Sequence, residues 1–216
     1  MERYRSASHG AAWMERKSID GKERRTPSGA AVIRPDLTEA LFRALFEEWA
    51  DVGYAAISLE RVAARAGAGK AAIYRRWPGK LQFASDAIER VGVDLGEFSD
   101  HGSLEADIIA YLAKTRRALR HPLVRRIVPD LAAERARSGD LAAALDRVAA
   151  ARRALGEALL DRAVARGEIS AGIDRELALD FIPSPLYWRM IVRGRPAGRA
   201  DIARHAAALV AALKAC

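Results

Sequence analysis

The sequence concentrates positive side chains in one short segment. Residues 61–80 contain six cations and no carboxylate. Guanidinium and ammonium groups gathered in this way donate charged hydrogen bonds to phosphates. A helical face that is merely solvated would carry acidic residues among the basic ones. The segment is therefore predicted to bind a polyanion. The six cations are Arg61, Arg65, Lys70, Arg75, Arg76 and Lys80.

The charge balance of the whole chain agrees with this interpretation. The 216 residues include 36 Lys+Arg and 28 Asp+Glu, so the net charge is +8. A positive surface attracts nucleic acid and anionic lipid head groups alike. An Arg- and Ala-rich composition also occurs in mildly basic proteins that bind neither. The location of the excess charge in residues 61–80 favours DNA.

The residue groups that would support catalysis or metal binding do not occur in the sequence. The histidines, His9, His101, His121 and His205, are widely separated, and no HExxH, GxSxG, Walker or strand-linked GxGxxG pattern is found. Cys216 is the single cysteine, which excludes an internal disulfide. We therefore predict that the protein is no enzyme and binds no metal or cofactor.

The sequence also lacks a segment typical of secretion or membrane insertion. Arg3 and Arg5 are not followed by an apolar run. Nowhere does the chain reach the roughly 18 consecutive apolar residues that a membrane span requires. The single cysteine fits a reducing compartment. We expect a soluble, cytoplasmic protein without a membrane partner.

Helical periodicity extends through most of the chain. Residues 1–34 are rich in Ser, Gly and charge, and are predicted to be a disordered basic leader. From residue 35 onward apolar residues recur at spacings of three and four, so the predicted fold is all-α. The predicted helices run from Pro35 to before Gly53, from Leu59 to Ala66, from about Lys70 to Trp77, from Lys80 onward, and over about 104–120, 123–137, 141–166, 175–192 and 199–214.

Local signals mark several helix ends. Side chains of Ser and Asp accept hydrogen bonds from the first free N–H groups of a helix, and Gly readily adopts the left-handed conformation that follows the last turn. Ser58, Asp140 and Asp174 are predicted N-caps on this basis. Gly67 and Gly167 are predicted to end the helices before them.

Residues 59–77 have the spacing of a helix-turn-helix unit. Ala63 lies four residues before Gly67, and Ile73 follows six residues after it. Such a unit needs a small residue where two helices cross, a glycine in the turn and an apolar anchor on the second helix. Ile73 and Trp77 are four residues apart and are predicted to face the core. In such units the second helix enters the major groove of DNA.

The run GYAAISLERVAARAGAGKAAIYRRWPGKLQF closely resembles the DNA-binding domain of TetR/AcrR-type transcriptional regulators. It contains a Gly-aromatic pair, a hydroxyl cap, an Ala-Gly turn and a Tyr-x-x-aromatic-x-x-Lys signature. A later run, RGEISAGIDRELALDFIPSPLYWRMI, resembles the regulatory domain of one branch of that family. The matching residues in the first run are Gly53 with Tyr54, Ser58, Ala66 with Gly67, and Tyr74, Trp77 and Lys80.

The resemblance implies a ligand-responsive, homodimeric repressor that binds a palindromic operator in double-stranded DNA. Residues 35–82 would form a three-helix DNA-binding domain, and residues 83–216 a helical domain for dimerisation and for an unknown small-molecule effector. Gly69 stands where many members of the family carry a hydroxyl-bearing cap. Because the groove-facing residues are small, base reading is expected to rely on thymine methyl groups and DNA shape. The implied DNA-binding residues are Ser58 and Lys80 against phosphates, Tyr74 against the backbone or a base, and Gly69, Lys70, Ala71 and Arg75 at the groove.

The resemblance also assigns dimerisation to about residues 174–215. An apolar stripe supports it, although packing within one chain would produce the same pattern; the stripe consists of Ile202, Ala206, Leu209 and Leu213. Pro183 and Pro185 interrupt the helical pattern, so a break is predicted there. A broken helix beside aromatic residues could form the wall of a cavity, although aromatic residues at helical spacing are more often core. The pocket candidates are Tyr111, Phe181, Tyr187, Trp188 and Arg189.

One alternative uses the same cations differently. A basic helical adaptor or a membrane-surface protein would place them on one face of an amphipathic helix, opposite large apolar residues. Residues 70–76 form only two turns, too short to bind lipid alone. The sequence therefore favours the DNA-binding regulator over this alternative.

Overall fold

The computed structural model describes residues 35–93 and 99–216. In that part of the chain every regular element is helical, which confirms the predicted all-α class. The chain divides after residue 94 into two compact units. The leader predicted at residues 1–34 lies outside the described residues. No helix in the described ranges is long and apolar enough to cross a membrane.

The first unit contains the helix-turn-helix. Ser58 caps α2 as predicted, because its Oγ accepts a hydrogen bond from the N–H of Arg61 at 3.3 Å. Gly67 follows α2 with φ 66°, the left-handed conformation that the turn requires. The described helices of this unit are α1 (Pro35–Val52), α2 (Leu59–Arg65), α3 (Lys70–Tyr74) and α4 (Lys80–Val93).

Helix α3 is shorter than predicted. It ends at Tyr74 rather than at Trp77. The N–H groups of Arg76 and Trp77 both donate to the carbonyl of Ile73, at 2.8 and 2.9 Å, so the chain leaves the helix in a tight turn. This turn carries the indole of Trp77 into the core.

Aromatic packing fixes the orientation of α3. The ring of Trp77 stacks on Phe83 at 4.2 Å between centroids and lies 5.4 Å from Phe42. Its Nε1 donates to Asp86 Oδ2 at 2.8 Å, which satisfies the one polar atom of the buried indole. Ile73 is fully buried. The predicted core roles of Ile73 and Trp77 are confirmed, and the opposite face of α3 is left exposed.

The second unit is a helical bundle in which one predicted helix is broken. Residues 175–192 form two short helices and a π-helical turn, which confirms the break predicted at Pro183 and Pro185. The described elements are α5 (Leu104–Arg120), α6 (Pro122–Arg137), α7 (Ala142–Ala165), α8 (Arg175–Phe181), α9 (Ser184–Tyr187), the π-helical turn Trp188–Val192, and α10 (Arg199–Leu213).

Two of the three helix-end predictions for this unit are confirmed. Asp174 caps α8 by accepting a hydrogen bond from the N–H of Leu177 at 3.0 Å, and Gly167 follows α7 with φ 71°. The N-cap predicted at Asp140 is wrong. The N–H of Ala142 donates to the carbonyl of Gly139 at 2.9 Å in a separate turn, so α7 begins one residue later, after Leu141 and without a side-chain cap.

The core of the second unit forms between α5 and the C-terminal helices. Leu104, Ile108 and Leu112 of α5 are fully buried in the same cluster as one face of α10. That face is the stripe considered above for dimerisation: Ile202, Ala206, Leu209 and Leu213. Because these side chains are buried within one chain, the stripe is an intramolecular packing surface and offers no contact to a second protomer.

Helix α7 carries a glycine where α8 approaches closely. A Cβ atom at Gly156 would clash with Leu179 Cδ2. Gly156 and Leu179 are both buried. The absence of a side chain at position 156 therefore allows the two helices to pack this closely.

A buried carboxylate organises the start of α5. Asp107 is fully buried and accepts hydrogen bonds from the N–H of His101 at 2.9 Å and from Arg166 at 3.0 Å. Burial alone would raise the pKa of Asp107, but these hydrogen bonds lower it below its ordinary value. Glu168 accepts from the N–H of Leu104 at 2.7 Å, and its ion pair with Arg166 lowers its pKa as well.

Candidate nucleic-acid interface

Helix α3 presents an exposed surface opposite its buried side. Gly69, Lys70, Ala71, Tyr74 and Arg75 are all exposed, while Ala72 and Ile73 of the same helix are buried. Gly69 is the N-cap and forms no side-chain hydrogen bond. Five of the seven DNA-binding residues implied by the resemblance thus lie together on one surface, with short side chains at the start of the helix.

Arg75 is the most available cation of this surface. It is exposed at the end of α3. Within residues 35–93 and 99–216, no hydrogen bond or ion pair engages its guanidinium group. A free guanidinium can donate two parallel hydrogen bonds to O6 and N7 of a guanine.

Lys70 is held by an acid that the sequence analysis did not consider. Its Nζ pairs with Glu60 Oε1 of α2. The other carboxylate oxygen, Glu60 Oε2, accepts a hydrogen bond from Ser58 Oγ at 3.0 Å. The hydrogen bond from Lys70 is the main cause that lowers the pKa of Glu60 to about 2, and the same contact raises the pKa of Lys70. Ser58, Glu60 and Lys70 form one cluster, which we call the Glu60 cluster; Glu60 and Lys70 are exposed and Ser58 is half-buried.

Lys80 binds backbone carbonyls of its own chain. Its Nζ donates to the carbonyl oxygens of Tyr54 at 3.1 Å and Ala55 at 3.0 Å, and it lies 4.6 Å from the centroid of the Tyr54 ring. The side chain is half-buried. In this structure the ammonium group ties the start of α4 to the loop before α2.

The remaining cations of the segment are also engaged. Arg61 pairs with Glu48 of α1 and donates to the carbonyl of Ala56 at 2.9 Å. Arg65 pairs with Asp51 at 2.8 Å and with Glu48 at 3.3 Å. Arg76 Nη1 donates to the carbonyl of Ala72, also at 2.8 Å. The absence of acids within residues 61–80 therefore does not leave the segment unneutralised, because acids from outside it pair with three of its cations.

The pocket candidates differ in burial and in their contacts. One side of the broken helix packs in the core through the buried side chains of Ile182, Leu186 and Met190. The opposite side carries Phe181, Tyr187 and Trp188, which are exposed, so their role in a cavity wall stays a prediction. Arg189 donates to the carbonyl of Pro196 and pairs with Asp201, and burial raises the pKa of the half-buried Tyr111.

A basic groove lies along α5. Its volume is about 580 Å³. Arg116, which lines it, is fixed by a hydrogen bond to the carbonyl of Ala197 at 3.3 Å. No group of three or more potential metal-ligating side chains occurs in residues 35–93 and 99–216. The described lining residues of the groove are Ala110, Ala113, Lys114, Arg116, Arg117 and Arg120.

Two family models match the chain. Residues 41–87 match the model described as bacterial regulatory proteins of the tetR family. Residues 98–209 match the model described as the tetracyclin repressor-like C-terminal domain. The first range contains the helix-turn-helix and the second contains all but the last turn of the bundle.

Individual proteins are similar over most of the chain. The DNA-binding transcriptional repressor TetR of Mycobacteroides abscessus is 34% identical over 144 residues, which cover 66% of this chain and 75% of that protein. The crystal structure of the TetR family transcription regulator SCO0332 has a TM-score of 0.62 at 26% identity and covers 84% of this chain and 99% of that chain. A TetR-family regulator from Rhodococcus sp. shares the fold at 17% identity, with a TM-score of 0.67 and coverage of 84% and 100%.

Proposed function

Because this chain belongs to the TetR family of DNA-binding transcriptional regulators, we propose that it is a homodimeric repressor whose affinity for a palindromic operator is changed by a small-molecule effector. Members of this family regulate transcription and are not enzymes. The basic adaptor or membrane-surface alternative is therefore set aside. The observation that carries the proposal is α3, whose apolar side is buried and whose cationic side is exposed. A bacterial regulator of this kind acts on chromosomal DNA, so we propose the cytoplasm as its location.

The exposed side of α3 is the proposed reading surface. In helix-turn-helix proteins the second helix lies in the major groove with its N-terminal residues at the base edges. Arg75 is proposed to read a base, since its guanidinium group has no competing partner in the described structure. Gly69 and Ala71 would allow close approach to thymine methyl groups. Ser58 and Lys80 are proposed to contact phosphates, and Tyr74 the DNA backbone or a base. Lys70, which the resemblance assigns to the groove, is proposed to reach a phosphate instead, because it shares the carboxylate of Glu60 with the phosphate-binding Ser58. Residues 35–82 are proposed as the DNA-binding domain.

The broken helix supplies the proposed dimer surface. Exposed apolar side chains lie on α8 and on the π-helical turn, on both sides of the break. Large apolar residues gathered on one face of a monomer are typical of a protein contact. We propose that two copies of this face meet across a two-fold axis, within residues 83–216. The face, which we call the outer apolar face, consists of Leu177, Phe181, Trp188 and Val192.

The groove on α5 is the proposed effector site. The groove lies on the exposed side of one helix, and its charge is the reason for the proposal. Four of the described lining residues are cations, so the groove would select an anionic effector, such as a carboxylate or a phosphate. An effector shifts the operator affinity only if it binds the two conformations of the protein with different affinity.

Selection of bound fragments from genomic DNA tests the DNA-binding proposal. The purified full-length protein should recover fragments that share a two-fold symmetric motif with half-sites about 34–36 Å apart or wider. Footprinting should show protection of both half-sites. Recovery of fragments without a common motif would contradict sequence-specific binding.

A binding competition tests the effector proposal. Small carboxylic and phosphorylated compounds should release the selected DNA, while their neutral amides and esters should not. Arg120→Ala should weaken the response without changing DNA affinity in the absence of the compound. A response only to cationic compounds, unaffected by Arg120→Ala, would contradict the assignment of the groove.

A further inference from the structure

Two hydrogen-bond donors with proposed roles at the DNA backbone meet on one carboxylate. Ser58 is the cap residue of α2, and Lys70 is the first residue of α3. The hydroxyl of Ser58 donates to Glu60 Oε2 at 3.0 Å, and the ammonium of Lys70 binds Glu60 Oε1. Each oxygen of Glu60 therefore accepts from a different donor, and the two donors come from the two helices of the helix-turn-helix.

A carboxylate and a phosphodiester present the same chemistry to these donors. Both are anions with two oxygens that accept charged hydrogen bonds. The hydroxyl of Ser58 has a single proton, and in the free protein it donates this proton in a hydrogen bond to Glu60. It cannot donate to a DNA phosphate until Glu60 releases it. The ammonium of Lys70 has three N–H donors, so Glu60 engages one of them and neutralises part of the charge that would attract a phosphate.

The carboxylate also places a negative charge beside the proposed path of the DNA backbone. The side chain of Glu60 is 59% exposed and that of Lys70 is 49% exposed. Together they are electrically neutral, so this part of the surface attracts DNA less than Lys70 alone would. Glu48 differs, because it is buried beneath Arg61 and Arg65 and joins α1 to α2. Asp51 is exposed, but its partner Arg65 is not among the residues proposed to contact DNA.

We propose that Glu60 is an internal substitute for a DNA phosphate, which occupies Ser58 and Lys70 in the free protein and is displaced when DNA binds. This inference rests on the proposed function. Glu60 would lower the affinity for operator and for random DNA by the same factor, because its contacts involve no base. It sets the strength of DNA binding, while Arg75 sets the sequence preference.

The substitution Glu60→Gln tests the proposal. Gln retains the size of the side chain and removes its charge. Binding to the selected operator and to random DNA of equal length should tighten by a similar factor, on the order of 3- to 10-fold at moderate salt. The plot of log affinity against log salt should become steeper by about 0.9 for each protomer, since one more net positive charge meets the phosphates. Fluorescence anisotropy over a salt series measures both quantities.

A double-mutant cycle with Lys70→Ala separates the phosphate substitute from simple charge repulsion. If Glu60 acts by occupying Lys70, Glu60→Gln should lose most of its effect in the Lys70→Ala background. Asp36→Asn removes an exposed negative charge from the first turn of α1 and serves as the control for net charge. Its effect on affinity should be smaller than that of Glu60→Gln. A thermal melt of each variant verifies the fold, which should be unchanged because exposed ion pairs contribute little to stability.

The results that overturn the inference are distinct from those that overturn the function. If the wild-type protein selects an operator but Glu60→Gln binds it with equal or lower affinity, Glu60 positions the donors and does not compete with DNA. If Glu60→Gln raises the DNA affinity by the same factor with and without the Lys70 side chain, the carboxylate acts by repulsion alone. The proposal that Glu60 substitutes for a phosphate is then wrong. If the wild-type protein selects no operator, the proposed function itself fails.

Discussion

Removing the two arginines beside Glu48 should destabilise the first unit more than removing Glu48 itself. The side chain of Glu48 is 1% exposed, while those of Arg61 and Arg65 are 54% and 38% exposed. The double variant Arg61→Ala/Arg65→Ala leaves a buried carboxylate without a cation. Stranding a buried charge costs about 3–5 kcal/mol of unfolding free energy.

The reverse substitution leaves no buried charge behind. Glu48→Met fills the same space with an apolar side chain, and the two exposed guanidinium groups keep Asp51, the carbonyl of Ala56 and water as partners. Replacing a buried ion pair with an apolar side chain of similar volume is often neutral or stabilising. We expect Glu48→Met to change the unfolding free energy by less than about 1 kcal/mol in either direction.

Urea denaturation followed by tryptophan fluorescence measures the difference. Trp49 and Trp77 are buried in the first unit and report its unfolding. A Trp13→Phe/Trp188→Phe background removes the other two tryptophans. If Glu48→Met lowers the unfolding free energy as much as the double arginine variant does, the reasoning from burial is refuted. If the double arginine variant costs less than about 1 kcal/mol, Glu48 is solvated and the ion pairs are ordinary surface contacts.

Three further predictions concern DNA binding, assembly and pH. Arg75→Ala should reduce the preference for operator over random DNA by about 1–3 kcal/mol. Lys80→Ala should instead lower the affinity for operator and for random DNA by the same factor, and filter binding with the two DNAs measures both effects. Trp188→Glu should convert the dimer to a monomer in sedimentation velocity, because burying its 60% exposed side chain is worth roughly 3 kcal/mol per protomer; an unchanged dimer would remove the outer apolar face from the interface. The pKa of Asp107 is lower in the folded protein than its ordinary value of 3.8. The carboxylate therefore stabilises the fold above pH 3.8, and this stabilisation is lost as the pH falls from 3.8 through the lower pKa of the folded protein. Melting temperatures measured from neutral pH downward should show this loss, and Arg166→Gln should make the dependence shallower.

Most helices could be predicted from the sequence because their signals are local. The apolar spacing of α1 and the caps at Ser58 and Asp174 act within a few residues, so the sequence contains them directly. The end of α3 could not be found in this way. Trp77 leaves the helix to pack on Phe83 of the next helix and on Phe42, which is distant in sequence, and this packing overrides the helical pattern.

The charge of the candidate site was harder to predict than its position. Counting charges over residues 61–80 excluded Glu48 and Asp51, which reach Arg61 and Arg65 from α1, and Glu60, one residue before the counted window. Glu48 did leave a signal, since it lies seven residues after Leu41 on the apolar side of α1. An acid in that position is typical of a buried ion pair.

Apolar periodicity showed that α10 has a buried face but not which surface covers it. The stripe from Ile202 to Leu213 would look the same in a dimer interface and in a monomer core. Only the fold shows that α5 occupies it.

The crossing of α7 and α8 at Gly156 has a mechanical consequence. Leu179 occupies the space that a side chain at position 156 would fill, so the side chain of Leu179 packs directly against the backbone of α7. Close-packed interiors transmit displacement from one element to the next. We therefore expect α7 and α8 to shift together. A shift of α7 is therefore carried to Leu177 and Phe181 on the far side of α8, and through them to any second copy that rests there.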